Sequence, residues 1–191
     1  MAQRVTVSWV FDVISPFAYL GLRDLERLPA HVELRFVPVL LAPLLNHFGQ
    51  MGPAEIPSKR TFTYRFVLWR ARSLGLPMRF PPTHPFNPLA GLRLIVAAGS
   101  DRRAAGTVLE AVFRDGRDLT DAAVIADLAR TLGVAEPERA VSDPAVKQRL
   151  AAVGQDVVPA DEQSPEALAV YQKAEIEKWW PIAKAANLKA E

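Results

Sequence analysis

Residues 11–20 read Phe-Asp-Val-Ile-Ser-Pro-Phe-Ala-Tyr-Leu, and the Ser15-Pro16 pair among them decides the fold. A hydroxyl residue followed by proline is a helix start: Ser15 takes the N-cap and Pro16 the first helical position, where a missing N–H costs nothing. The residues before it alternate. Val5, Val7, Trp9 and Phe11 fall on one face and Thr6, Ser8 and Val10 on the other, which predicts a β-strand from Arg4 to Asp12 with both faces at least partly covered. After it, a helix is expected through Leu28, with Phe17, Leu20, Leu25 and Leu28 among its inward residues, and Pro29 ends it. Val32 to Leu41 (VELRFVPVLL) predicts a second strand. A helix joins the two strands, so they run parallel in a βαβ unit.

Further along, Ala42 to Pro57 reads as a loop punctuated by Pro and Gly, with a short helical piece around Leu44 to Phe48. Ser58 is placed to cap a helix reaching about Leu74 and closed by Gly75. Leu76 to Pro88 holds five prolines and reads as an irregular connector. Helices are expected over Leu89–Ala98, Arg102–Phe113 and Asp121–Leu132, the last punctuated by Thr120 and Gly133. The fold class is therefore α/β, a βαβ start followed by a block of helices over about 58–135.

The tail changes character. All 17 arginines lie at or before Arg149, and from Ala151 onward the basic residues are four lysines. A helical pattern runs from Pro165 to about Leu188, with Pro181 after Trp179-Trp180 expected to kink it. A seam is read at about 143–155, dividing the chain into a domain at 1–142 and a helical segment at 143–191. No internal repeat is found.

Composition narrows the function. Of 191 residues, 50% are hydrophobic and none is cysteine, which fits a globular domain and excludes thiol nucleophiles, Cys-ligated zinc and disulfides. No run of about 18 apolar residues occurs. The start MAQRVTVSWVFD lacks a long apolar stretch, so a cytoplasmic enzyme or binding protein is expected, without membrane partners. Residues 1–100 hold 11 Lys and Arg against 5 Asp and Glu; residues 101–191 hold 12 against 16. The basic residues of the first half are scattered singly, which suits a small anionic ligand better than nucleic acid. His31, His47 and His84 show no metal-ligand spacing.

Chemistry concentrates at the Ser15 turn. Backbone N–H groups and the dipole of a helix N-terminus favour an anion there, and a serine hydroxyl could hydrogen-bond a thiolate and lower a bound thiol's pKa. Read singly, the neighbours are plainer. Ser15 is also what any Ser-Pro helix start provides, Lys59-Arg60 is a solvated helix start, and Asn87-Pro88 is a helix cap. Arg65, Arg70, Arg72 and Arg79 read as solvated charges, and Trp9 and Trp69 as core packing. His84, between prolines and beside Asn87, is the histidine with a functional setting.

The stretch FDVISPFAYLGLRDLERLP resembles the opening of the 2-hydroxychromene-2-carboxylate isomerases and kappa-class glutathione transferases. These belong to the disulfide-oxidoreductase branch of the thioredoxin-like superfamily. The resemblance continues through PVLLAPLLNHFGQMGPAEIPSKRTFTYRFVLWRARSLGLPMRFPPTHPFNPLAGLRL and covers roughly residues 4–145. It implies a thioredoxin-like start with a large helical insertion. Where that branch carries C-x-x-C, this chain has Ser15-Pro16-Phe17-Ala18, so dithiol redox chemistry is not implied. What is implied is a glutathione cofactor, with Ser15 holding its sulfur as thiolate beside Pro16 and Phe17. Lys59 and Arg60 match a basic position facing glutathione or a substrate carboxylate, and Asn87 a polar residue at the site's edge. The implied reaction converts 2-hydroxychromene-2-carboxylate to trans-o-hydroxybenzylidenepyruvate in aromatic catabolism. A kappa-like transferase would use the same residues, and a homodimer acting on an aromatic carboxylate is expected.

The chain also departs from that family. The G-V-x-G-V-P-T-like segment that closes the fold, with a cis-proline facing the serine, has no match, so the C-terminal half of the sheet is expected to be atypical or missing. Val157-Val158-Pro159 is the nearest substitute strand. From about residue 143 the tail instead resembles the C-terminus of tripartite-tricarboxylate-transporter solute-binding proteins, and DPAVKQRL reads as the crossover. That departure keeps a non-catalytic, anion-binding remnant in view as the rival to the isomerase.

Overall fold

The computed structural model describes residues 4–135, together with Val170, Lys173, Ala174 and Glu177 of a helical stretch. The seam at 143–155, the strand expected at Val157-Val158-Pro159, the kink at Pro181 and the tail that carries the second resemblance lie outside the described residues.

Two strands, β1 (Val5–Phe11) and β2 (Val32–Pro38), pair in parallel with Val5 opposite Val32 and Phe11 opposite Pro38. Between them runs α1 (Pro16–Leu25), completing the βαβ unit. Then come α2 (Leu41–His47), α3 (Pro57–Ser73), α4 (Leu89–Ala97), α5 (Arg102–Phe113) and α6 (Ala122–Leu132). A thioredoxin-like start followed by a helical block is what the sequence predicts. Gly75 adopts φ 66° after α3 and Gly133 φ 74° after α6, left-handed turns that close both helices.

Several local expectations are corrected. α1 stops at Leu25, three residues short, and its exposed side includes Phe17 (47%) and Leu28 beyond its end (41%). Leu20 is buried and Leu25 packs against the core as expected, and Ala18, Tyr19 and Leu22 join them. β2 ends at Pro38, because the chain turns there into α2, which starts at Leu41, earlier than the expected Leu44. Ser58 does not cap α3: Ile56 is the cap and Pro57 takes the first helical position, so the helix begins two residues earlier than a Ser58 cap implies. For α6 the cap is Asp121, whose carboxylate accepts the Ala123 N–H at 2.8 Å, while Thr120 hydrogen-bonds Asp118 outside it. Trp69 is 59% exposed and not in the core. One face of β1 is covered at its end, where Phe11 is buried and Trp9 packs against the core, while Val5, Val7 and, on the other face, Val10 lie exposed.

The core sits between the strands and the helical block. Fully buried Val108, Leu109, Val112 and Phe113 of α5 meet Leu94 and Ile95 of α4, Leu128 and Leu132 of α6, and Val13 from the turn after β1. Gly91 allows the closest approach, since a Cβ there would lie 2.6 Å from Leu119 Cδ1. The proline-rich connector is anchored rather than loose. Tyr19 donates its hydroxyl to the Pro77 carbonyl (2.7 Å), and the Arg79 N–H donates to the Phe113 carbonyl (2.8 Å).

Candidate functional site

At the end of β1 the chain turns sharply, and Asp12 makes the turn. Its carboxylate accepts the Ile14 N–H at 3.0 Å and the Leu41 N–H at 2.7 Å, tying β1 to the first residue of α2. Asp12 is only 4% exposed, and burial lifts its carboxyl above the ordinary 3.8, against the pull of those backbone donors. The turn delivers Ser15 to the N-cap of α1. Its N–H donates to the Asp12 carbonyl (3.1 Å), and its own carbonyl accepts the Ala18 N–H (3.0 Å). The hydroxyl makes no capping bond. Pro16 has no N–H, so among the described residues Phe17 holds the one first-turn donor without a backbone partner. The helix terminus therefore offers fewer donors than the sequence suggested: one N–H and one hydroxyl.

These groups line a cavity of about 520 Å³, within the range of small-molecule sites. Ser15, Pro16 and Phe17 form one wall, Asn87 and its neighbours another, and Leu41, Leu45 and Tyr64 further parts. Asn87 Oδ1 accepts the Leu89 N–H at 3.0 Å, so its carbonyl oxygen serves the start of α4 while its amide nitrogen stays available. Lys59 and Arg60 are exposed on the first turn of α3 and are not part of the lining. Arg60 stands at the rim: its Nε donates to the carbonyl of Ala54, a lining residue, and its charge is felt by Tyr64 and His84. The charged lining residues are Asp12 and Glu55, and Glu55 Oε1 accepts the Gly52 N–H at 3.1 Å.

Family comparison fixes what this arrangement belongs to. The chain matches the family described as DSBA-like thioredoxin domain over residues 6–156. This protein is a member of the DSBA-like thioredoxin domain family. Within the family, it is 31% identical over 84 residues to glutathione S-transferase kappa 2 of Caenorhabditis elegans, covering 42% of this chain and 37% of the relative. It is 25% identical over 85 residues to glutathione S-transferase kappa 1 of the same organism, covering 43% of this chain and 38% of the relative. These alignments thus span well under half of the curated relatives. Among solved structures it resembles 2-hydroxychromene-2-carboxylate isomerase (HCCA isomerase), with TM-score 0.66, 22% identity, and coverage of 97% of this chain and 100% of that one. That likeness concerns the fold. Both groups named by the sequence resemblance reappear in these comparisons.

Within this DSBA-like domain, the sequence reading missed two side chains that build the site and underrated a third. His84 lies among the rings of Tyr64, Phe80, Phe86 and Phe113. Its Nε2 is 2.7 Å from the Ile14 carbonyl, which can only accept, so Nε2 carries the proton. Nδ1 then accepts from the Tyr64 hydroxyl, 2.7 Å away, and that hydroxyl also lies 2.9 Å from the His84 carbonyl oxygen. Burial lowers the His84 pKa from the ordinary 6.5, and the nearby Arg60 charge adds to this, against the Ile14 hydrogen bond. A neutral imidazole thus clamps the residue just before Ser15. No local motif marks Tyr64, because its role depends on a partner 20 residues on. Asp12 sat in plain view three residues before Ser15, but its second partner is 29 residues away.

Proposed function

We propose that the protein is a glutathione-dependent isomerase that converts 2-hydroxychromene-2-carboxylate to trans-o-hydroxybenzylidenepyruvate, a step of aromatic catabolism in the cytoplasm. The carrying observation is Ser15: a hydroxyl at a helix N-cap, making no capping bond, on the wall of a small-molecule cavity. The residues present fit the thiol end of glutathione. The Ser15 hydroxyl and the Phe17 N–H are two donors for a sulfur anion, and the α1 dipole favours negative charge beside them. Pro16 and Phe17 supply apolar wall, and the Asn87 amide a donor at the edge. Because the lining charges are acidic, the carboxylates of cofactor and substrate belong at the rim, with Arg60 and Lys59.

Bound glutathione supplies a nucleophilic thiolate, which the cysteine-free chain lacks. The protein's own part is electrostatic and positional. Ser15 holds the sulfur in its anionic form, His84 and Asp12 fix the turn that carries Ser15, and the apolar walls exclude water. We further assign 1–142 to the thioredoxin-like domain and 143–191 to an atypical helical C-terminal segment, and propose a homodimer as the working form. A second reading, a kappa-like transferase acting on small electrophiles, is favoured by the 31% identity over 84 residues to glutathione S-transferase kappa 2. Parallel assays with the chromene carboxylate and with a chloronitrobenzene acceptor, each with and without glutathione, decide between them. Glutathione-dependent turnover of the first alone supports the isomerase, of the second alone the transferase. Turnover of neither by folded protein would leave the non-catalytic rival.

A further inference from the structure

A second cavity, of about 510 Å³, lies between α4 and α6, behind the Asn87 wall of the first. Its walls are mostly apolar, with Leu89, Leu119, Ile125 and Ala126 among them. Thr120, Arg93 and Asn87 are polar exceptions, and Asn87 is shared with the first cavity. Arg93 is only partly exposed, and its Nε–H is buried with no hydrogen-bond partner. Among the described residues it forms no ion pair, unlike Arg102, Arg114, Arg117 and Arg130, each of which holds a carboxylate. A buried donor on a cation left unsatisfied is costly, and folded proteins seldom leave one without reason. Burial lowers its pKa, yet a guanidinium stays charged in proteins.

We propose that this cavity is a separate binding site for a small amphipathic carboxylate, whose head pairs with the Arg93 guanidinium and whose apolar body lies between α4 and α6. A planar guanidinium is the group that best matches a carboxylate, and Arg93 lines the cavity with terminal N–H groups that make no hydrogen bond among the described residues. Thr120 offers a hydroxyl-bearing side chain at the edge, though its hydroxyl is partly occupied by Asp118 at 2.7 Å. Neutral apolar molecules would fill the volume but leave the cation bare, so the site discriminates by charge. It uses neither Ser15 nor glutathione, and its failure would leave the isomerase reading untouched.

The test is an NMR titration of arginine-labelled full-length protein with 3-phenylpropanoate, and with 3-phenylpropanamide as the neutral control. The Arg93 Nε–H resonance, assigned by its absence in Arg93→Lys, is expected to shift and saturate with the acid and to stay put with the amide. Arg93→Met, which keeps bulk without charge, is expected to weaken the acid at least 10-fold and to melt no lower than the parent. Ser15→Ala is expected to bind the acid unchanged. An unmoved Arg93 resonance at millimolar acid, or equal shifts with acid and amide, would overturn the proposal. Should Arg93→Met not fold, the parent's own titration still decides.

Discussion

Ser15, Asp12 and His84 form one local unit, and each makes a distinct prediction. Ser15 holds an anion and carries little structure, since its hydroxyl caps nothing. Ser15→Ala is therefore expected to lower turnover on the order of 10²-fold, as loss of one charge-stabilising donor does, with the melting temperature nearly unchanged. Steady-state kinetics beside a thermal melt checks this. Asp12 is the reverse case. Asp12→Ala strands the Ile14 and Leu41 N–H groups, and at about 1–3 kcal/mol for each buried unpartnered group the loss should be about 3 kcal/mol in urea titration. His84 makes stability depend on pH. Its folded pKa lies below the ordinary 6.5, so as pH falls below that value the unfolded chain takes up a proton that the folded one refuses. Stability from this group is full above about 6.5 and declines as pH falls toward the folded pKa. Asp12, with a raised pKa, contributes with the opposite sign at lower pH. Comparing melts of the parent and His84→Gln from pH 7.5 to 5 isolates the histidine: the variant should lose less stability over that range.

At the scale of elements, what could be read from sequence was what local chemistry determines. Ser15-Pro16 marked the start of α1, the alternation from Val5 to Phe11 marked β1, and apolar periodicity gave α5 its observed bounds, Arg102–Phe113. What could not be read was which face each element buries. Phe17 and Trp69 were expected inside because they are large and apolar; both are exposed, because α1 and α3 turn other residues inward. The start of α2 shifted where a distant group, Asp12, holds the Leu41 N–H, while the start of α3 shifted for a local reason, Pro57. For the site, the Ser15 turn and Asn87 were legible, and the cavity that joins them was not, since its other walls come from α2 and α3. Packing within the helical block predicts a simple outcome. Leu109 of α5 is fully buried, so Leu109→Ala should cost about 3 kcal/mol, read as a lowered urea midpoint at unchanged slope.

For the whole molecule, the proposed homodimer is tested at the exposed aromatic cluster on α1 and α3. Phe17, Phe62 and Trp69 cluster around Phe66, with centroids 5.7 to 6.1 Å from its ring, on the surface of α1 and α3. α3 carries Lys59, Arg60, Arg65, Arg70 and Arg72 and no acidic residue, so two such faces repel electrostatically while their rings attract. If the homodimer forms through this face, its association should strengthen as salt screens the cations, and Phe62→Ser with Trp69→Ser should abolish it. Sedimentation velocity at two salt concentrations reads both effects; a pure monomer throughout would remove the dimer from the account. The central claim, that the Ser15 turn holds a glutathione thiolate, is met most directly by calorimetric titration of the folded full-length chain with reduced glutathione, followed by ultraviolet absorbance of the complex. Saturable binding near one site per chain is expected, with a thiolate band that Ser15→Ala removes. No heat from well-folded protein, or a band that survives Ser15→Ala, would contradict it.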